Sequence, residues 1–175
     1  ISLGDIFDGD VEGSIVSLQE SINCGVEWKA VYNCTRDAIA RYADGPAQHW
    51  DFDDASIFAQ IDAFVQRCRD LLEVCQGQMQ FARKSASLMS LSPDGSRMPV
   101  FQGVKGPEIA SALLDIENTF KEYIDKLCGV KYNVLDVKST RWHEDYNHFK
   151  NGVKDLEVMT QNVINGAFET VETVQ

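Results

Sequence analysis

Ile57-Phe58-Ala59-Gln60-Ile61-Asp62-Ala63-Phe64-Val65-Gln66-Arg67-Cys68-Arg69-Asp70-Leu71-Leu72-Glu73-Val74-Cys75 is the stretch that decides the fold. Ile57, Ile61, Phe64, Cys68, Leu71 and Cys75 step by four and three residues in alternation. That spacing keeps side chains on one face of an α-helix. Phe58, Val65, Leu72 and Met79 widen the seam into the broad apolar face that a bundle helix needs. Asp53 or Asp54 is placed to cap the helix, and Arg83 and Lys84 suit the negative end of its dipole. From Ile57 to Ala82 it would run about 39 Å at the standard rise.

Working outward, two more long stripes follow. Ile109, Leu113, Ile116, Phe120, Ile124 and Leu127 line one face after Pro107, a good first helical residue, and Gly129 ends it. Glu117–Lys121 and Glu122–Lys126 are favourable four-apart pairs on the expected wet side. After a link holding Val134, Leu135 and Val137, Ser139 or Thr140 caps a last helix. Its stripe runs Trp142, Tyr146, Phe149, Val153, Leu156, Met159, Val163 and Ala167.

Upstream, Asp10 caps a short helix, roughly Val11 to Asn23, with Ile15, Leu18 and Ile22 on one face. A second, roughly Val26 to Ala43, carries Val31, Ala38, Ile39 and Tyr42 and stops at Gly45-Pro46. Residues 85–106, rich in Ser, Gly and Pro, read as a long surface loop with Val100-Phe101 tucked against the bundle. No alternating strand pattern stands out. The expected fold is all-α: an elongated antiparallel bundle of three long amphipathic helices, residues 50–175, preceded by short helices and a linker over residues 1–49.

The chain has 175 residues, 44% hydrophobic and 25% charged, ordinary values for a folded chain with a real core. A net charge of −11 repels nucleic-acid backbones, anionic membranes and the acidic microtubule lattice. Arg67–Arg69 and Arg83–Lys84 are too small to reverse that sign. No apolar run approaches the ~20 residues of a membrane span. The start at Ile1, without a signal peptide, reads as an internal fragment. Cys24, Cys34, Cys68, Cys75 and Cys128 are odd in number and widely spaced, which fits reduced thiols better than a disulfide framework. Without secretion, the sequon Asn33-Cys34-Thr35 carries no meaning.

Four stretches invite a site reading. Asp8-Gly9-Asp10-Val11-Glu12-Gly13, with Ile15, nearly fits a calcium-binding EF-hand loop over residues 8–19. Gln19 stands where a bidentate carboxylate belongs, and no entering helix is expected before it. The simpler reading is an acidic turn and a helix cap. His143 and His148 are five apart, about 140° around a helix, so one metal ion cannot take both without distortion. Cys68 and Cys75 share a face with Phe64, Leu71 and Leu72 and read as core. Gly103-Val104-Lys105-Gly106-Pro107 lacks phosphate-loop spacing, and Pro107 removes an amide. No nucleophile constellation is legible, and Asp53-Asp54 are better caps than an acid–base pair. No catalytic, cofactor or metal site is expected. The singled-out residues form a structural seam: Ile57, Ile61, Phe64, Cys68, Leu71, Cys75, Ile109, Leu113, Ile116, Phe120, Trp142, Tyr146, Phe149, Val153 and Leu156.

Three runs carry a family resemblance. Phe64-Val-Gln-Arg67-Cys68-Arg-Asp70-Leu71-Leu72-Glu73-Val74-Cys75, led by Trp50-Asp51-Phe52, resembles a stretch near the N-terminus of axonemal dynein heavy chains. Gly103-Val-Lys-Gly106-Pro107-Glu-Ile109 is similar to the turn that opens their next tail helix, with Gln102 where many members have Gly. Leu135-Asp136-Val137-Lys138-Ser-Thr140-Arg-Trp142-His143-Glu144-Asp145-Tyr146-Asn147 resembles a further family run, continued by 155–162 and 167–169. The last runs look most like the outer-arm gamma-type heavy chain.

The resemblance covers roughly Trp50 to Gln175. It implies a non-catalytic tail segment of a ciliary or flagellar motor. Such a segment would be a scaffold for other heavy chains, intermediate chains and light chains, a calmodulin-like one among them. It would reside in the axoneme, and in the cytoplasm before assembly, with no direct microtubule contact. The ATPase modules of such a protein lie beyond this stretch, and no IQ-type helix occurs here. The alternative is a calcium-responsive module at residues 8–19.

Overall fold

The computed structural model of the protein describes residues 1–42, 54–91, 97–99, 103 and 105–168. Gly45-Pro46, Trp50-Asp51-Phe52, Asp53, Val100-Phe101 and the last stretch from Glu169 lie outside the described residues. The elements in order are α1 (Leu3–Phe7), α2 (Val11–Tyr42), α3 (Asp54–Leu88), β1 (Met89–Leu91), β2 (Arg97–Pro99), α4 (Gly106–Cys128) and α5 (Arg141–Phe168). The fold is an all-α helical bundle. A two-stranded antiparallel hairpin, Met89 opposite Pro99 and Leu91 opposite Arg97, is its one departure among the described residues.

Where two short helices were expected at the start, a single 32-residue helix runs. Gly25 does not break it, because its missing side chain is where α3 comes closest. A Cβ at Gly25 would stand 2.6 Å from Cγ2 of buried Val65. Beyond that contact the helices zip antiparallel, with Lys29 on Asp62 at 2.6 Å and Arg36 on Asp54 at 2.9 Å. Leu18 and Ile22 are buried as the periodicity implies, whereas Val31 and Ile39 face solvent. Helix α2 begins as expected, with Gly13 N–H donating to Asp10 Oδ1 at 2.9 Å.

Helix α3 also outruns its expected end. It continues through Arg83 and Lys84 to Leu88, so these cations do not sit in its last turn. The expected loop over 85–106 therefore shrinks, since 85–88 are helical and 89–91 and 97–99 are strands.

Helices α4 and α5 make the second antiparallel pair. Helix α4 starts at Gly106 with Pro107 in its first turn and stops at Gly129. Glu117, expected on the wet side, is buried beside Lys121 at 2.7 Å. The short α1 was not anticipated. A capping box makes it: Asp5 N–H donates to Ser2 Oγ at 3.3 Å and Ser2 N–H to Asp5 Oδ2 at 2.7 Å. The bond from the Ser2 backbone holds the Asp5 carboxyl below its usual range. Leu3 is fully buried, and the Ile1 carbonyl accepts from Val134 N–H at 3.0 Å.

One core unites both pairs and α1. Leu3, Leu18, Ile22, Val65, Leu71, Val74, Phe120, Leu127, Val134 and Trp142 belong to it. Phe81 stacks on Phe120 at 4.3 Å, and Phe120 meets Phe149 at 6.2 Å. The α4–α5 approach is set by Gly152, where a Cβ would lie 2.5, 2.6 and 2.9 Å from three Tyr123 ring atoms. Gly152→Ala should therefore destabilise the bundle by about 1–3 kcal/mol. That is the net loss after the ~1 kcal/mol that alanine adds to a helix. Tyr123→Leu on the same background should restore much of the loss. An unchanged urea midpoint for Gly152→Ala would contradict this contact.

Candidate functional site: a polar clasp between the helix pairs

The expected seam can now be located. Cys68, Leu71, Cys75, Ile116, Phe120, Trp142, Tyr146, Phe149 and Leu156 are buried. Ile61, Phe64, Leu113 and Val153 are partly buried against the same core, and Ile109 is half-buried. Ile57 is 37% exposed, since it sits in the first turn of α3 beyond the reach of the second pair.

Along one edge of this seam lies a polar constellation that the apolar pattern did not single out. Arg67, Asp70 and Glu73 recur every three residues on α3. Trp142, Tyr146 and Lys150 recur every four on α5. Trp142 Nε1 donates to Asp70 Oδ2 at 3.3 Å, and Tyr146 Oη to Glu73 Oε2 at 2.6 Å. Lys150 Nζ lies 3.8 Å from the same Glu73 oxygen and 5.5 Å from the Tyr146 ring centre. The order of these contacts shows α3 and α5 running parallel.

Arg67 closes the near end. It is only 7% exposed, packs 5.6 Å from the Trp142 ring, and caps the α4–α5 link. Its Nη1 donates to the carbonyls of Val134 at 2.5 Å and Asp136 at 3.2 Å, and Nη2 reaches that of Ser139 at 3.4 Å. Desolvation lowers its pKa, but arginine stays charged in proteins. A fixed fork of donors suits three carbonyls in one turn of chain, as a lysine ammonium does not. Tyr132 Oη donates to Asp145 Oδ2 at 2.6 Å and pins the link to α5 from the other side.

The stretches that invited a chemical reading resolve differently. From Val11 onward the chain is helical, so the twelve-residue calcium loop over 8–19 is not formed. Its carboxylates project from a helix start and cannot wrap one cation. A five-residue helix does precede it, contrary to expectation. His143 and His148 are both exposed, and His148 Nε2 lies 3.1 Å from Lys126 Nζ. Cys68 and Cys75 are core residues. Burial pushes the thiols of Cys75 and Cys128 up to about 11 and raises that of Cys68, the opposite of what a nucleophile or metal ligand needs. Gly103, at φ +104°, makes a left-handed turn closed by Gly106 N–H on its carbonyl at 3.0 Å, and Lys105 caps α4 without a side-chain bond. Among the described residues no group of three His, Cys, Asp or Glu is placed to hold a metal ion, and no helix is long and apolar enough to cross a membrane. What the clasp can do is mechanical: it fixes the register of two helix pairs.

Two predictions follow from this geometry. Arg67→Met and Arg67→Lys should each cost about 2–4 kcal/mol, because buried carbonyls lose their charged donor. Chemical unfolding measures it, and near-native stability of Arg67→Lys would refute the fork geometry. Burial, then the bonds to Asp145 and Glu73, raise the pKa of Tyr132 and Tyr146 above the ordinary 10.0. The neutral phenols are thus favoured in the fold. Their stabilising contribution is whole below about pH 10 and is lost as pH climbs through the raised values. In a phenolate absorbance titration, two of the five tyrosines should ionise late. Tyr132→Phe and Tyr146→Phe should each remove one late step.

Comparison with known proteins places this geometry. The sequence model of the family "Dynein heavy chain, N-terminal region 1" matches residues 1–175. The dynein-1-beta heavy chain of the flagellar inner arm I1 complex of Chlamydomonas reinhardtii is 49% identical over 170 residues, 97% of this chain and 4% of that protein. Dynein axonemal heavy chain 2 of Mus musculus is 47% identical over 105 residues, 59% of this chain and 2% of its own length. The gamma chain of the flagellar outer arm of Chlamydomonas reinhardtii is 21% identical over 172 residues, 98% of this chain and 3% of that one. The resemblance to an outer-arm gamma-type chain is thereby corrected: the inner-arm relative is more than twice as similar over the same span. The chain spans only a few per cent of the relatives it matches.

Proposed function

The chain belongs to the dynein heavy chain family as its N-terminal region 1, and from that premise we propose that it is a scaffold segment in the tail of an axonemal, inner-arm heavy chain. This region is tail and lacks the ATPase modules, so the segment is non-catalytic. The observation that carries the inner-arm reading is the 49% identity, sustained over 97% of the chain, to a heavy chain of the I1 complex.

In this reading the segment works by stiffness and by association. The clasp holds the α2–α3 and α4–α5 pairs in one register, and the outward faces recruit other heavy chains, intermediate chains and light chains. The whole protein is an ATP-driven microtubule motor that helps drive ciliary or flagellar beating, working in the axoneme after assembly in the cytoplasm. The names of the inner-arm and axonemal relatives support that setting.

The test uses the full-length heavy chain, tagged and expressed in place of the native one in a flagellated cell. It should co-purify with inner-arm particles. An Arg67→Met, Trp142→Ala variant should leave axonemes depleted of the chain and of its companions by at least about threefold. Recovery of the tagged chain in outer-arm particles instead would overturn the inner-arm assignment. Normal incorporation of the double variant would overturn the scaffold role.

A further inference from the structure

The α2–α3 pair leaves an open apolar groove of about 740 Å³, with Val137 of the clasped α4–α5 link also lining it. Ser17, Ser21, Cys24 and Trp28 form one wall, Ile61 and Phe64 the other. The α2 wall repeats at four- and three-residue steps, the spacing of a helix-packing seam. It is a second seam, beside the one that Leu18, Ile22 and Gly25 turn toward α3. The apolar surface continues past the groove: Trp28 is 46% exposed, Val31 64% and Ile39 48%.

Two exposed carboxylates of α2 stand beside it. Glu20 lines the groove, and Glu27 lies two turns further along the same face of α2. Neither forms an ion pair among the described residues. The nearby cations of α2 are already engaged, Lys29 with Asp62 and Arg36 with Asp54. A second copy of this chain would bring the same acidic edge and a net charge of −11. Like charges facing each other across a seam disfavour pairing, whereas opposite ones select a partner.

We infer that this groove docks a basic amphipathic α-helix from another subunit, which completes a three-helix bundle with α2 and α3. Its apolar face covers Trp28, Ile61 and Phe64, and its Lys or Arg flank meets Glu20 and Glu27. From Ser17 to Ile39 the seam is about 33 Å long, room for a helix of roughly 22 residues. The small residues at 17, 21 and 24 let its backbone approach α2 closely. The inference rests on the assembly reading above and names the chemistry of one partner.

Photo-crosslinking in the assembled particle tests it. Benzoylphenylalanine is placed at Ser21 of the full-length heavy chain, with exposed Asn147 as the control position, and the crosslinked peptide is sequenced by mass spectrometry. Ser21 should capture, and Asn147 should not, a segment of another subunit with apolar residues at three- and four-residue spacing and an excess of Lys and Arg. Glu20→Lys with Glu27→Lys should cut that yield at least about fivefold. Crosslinking to this heavy chain or a second copy of it, to an acidic or non-helical segment, or to nothing would overturn the inference. So would a yield indifferent to the charge reversal. Co-purification of the particle, scored on the same sample, separates these outcomes from failure of the assembly reading.

Discussion

The architecture depends on one buried cation. Arg67 stands where an apolar stripe would place another aliphatic side chain, and its guanidinium holds three carbonyls of the link between α4 and α5, those of Val134, Asp136 and Ser139. That link has no helix or strand of its own, and although Ser139 N–H bonds the Asp136 carbonyl, those of Val134 and Ser139 look to a donor supplied from outside. By meeting them from α3, Arg67 makes the position of the second helix pair a function of the first. Trp142, packed on the guanidinium and bonded to Asp70, begins α5 at that point, and the remaining turns follow with Tyr146 and Lys150 on Glu73.

Close approach does the rest. Gly25 lets α2 touch Val65, and Gly152 lets α5 touch the Tyr123 ring. In both places a residue that weakens a helix on its own is tolerated because it shortens the distance between two helices, and packing outweighs propensity. Gly4 works similarly on a smaller scale, with a would-be Cβ 3.0 Å from the Cys128 carbonyl.

Much of this was legible beforehand. The stripe from Ile61 to Cys75, the Pro107 start, the Gly129 stop and the Trp142–Tyr146–Phe149 face follow from spacing alone, because burial imposes a period on each helix. The gap expected between Asn23 and Val26 is absent, and Gly25, which falls in it, is a helix contact: a glycine's tertiary neighbour is invisible in sequence. The acidic turn at Asp8–Gln19 offered two readings, since a cap at Asp10 and a cation ligand at Asp10 use the same carboxylate, and the missing carboxylate at Gln19 favoured the cap that is found. The exposure of Val31 and Ile39 was hidden because periodicity reports that a face is apolar, not whether this chain supplies its cover. Arg67 was visible as part of a family-like run and of a small basic pair, not as a buried clasp. Its role lies in residues about 70 positions away, although the three-residue recurrence of Arg67, Asp70 and Glu73 beside an apolar stripe was a signal available to a closer reading.

The thiols raise a different matter. Cys75 is fully buried and Cys128 partly so, and burial raises both thiols to about 11, so at neutral pH each rests as the neutral thiol. Oxidants act through the thiolate, so these sulfurs age slowly while the bundle is closed. Cys24 and Cys34 sit on the exposed flank of α2. In a cell whose peroxide level rises, modification would begin on that flank and reach the core only after the helices part. The thiols thus keep a record of opening: alkylation at exposed Cys34 is compatible with an intact bundle, and label at buried Cys68 or Cys75 marks one that has come apart.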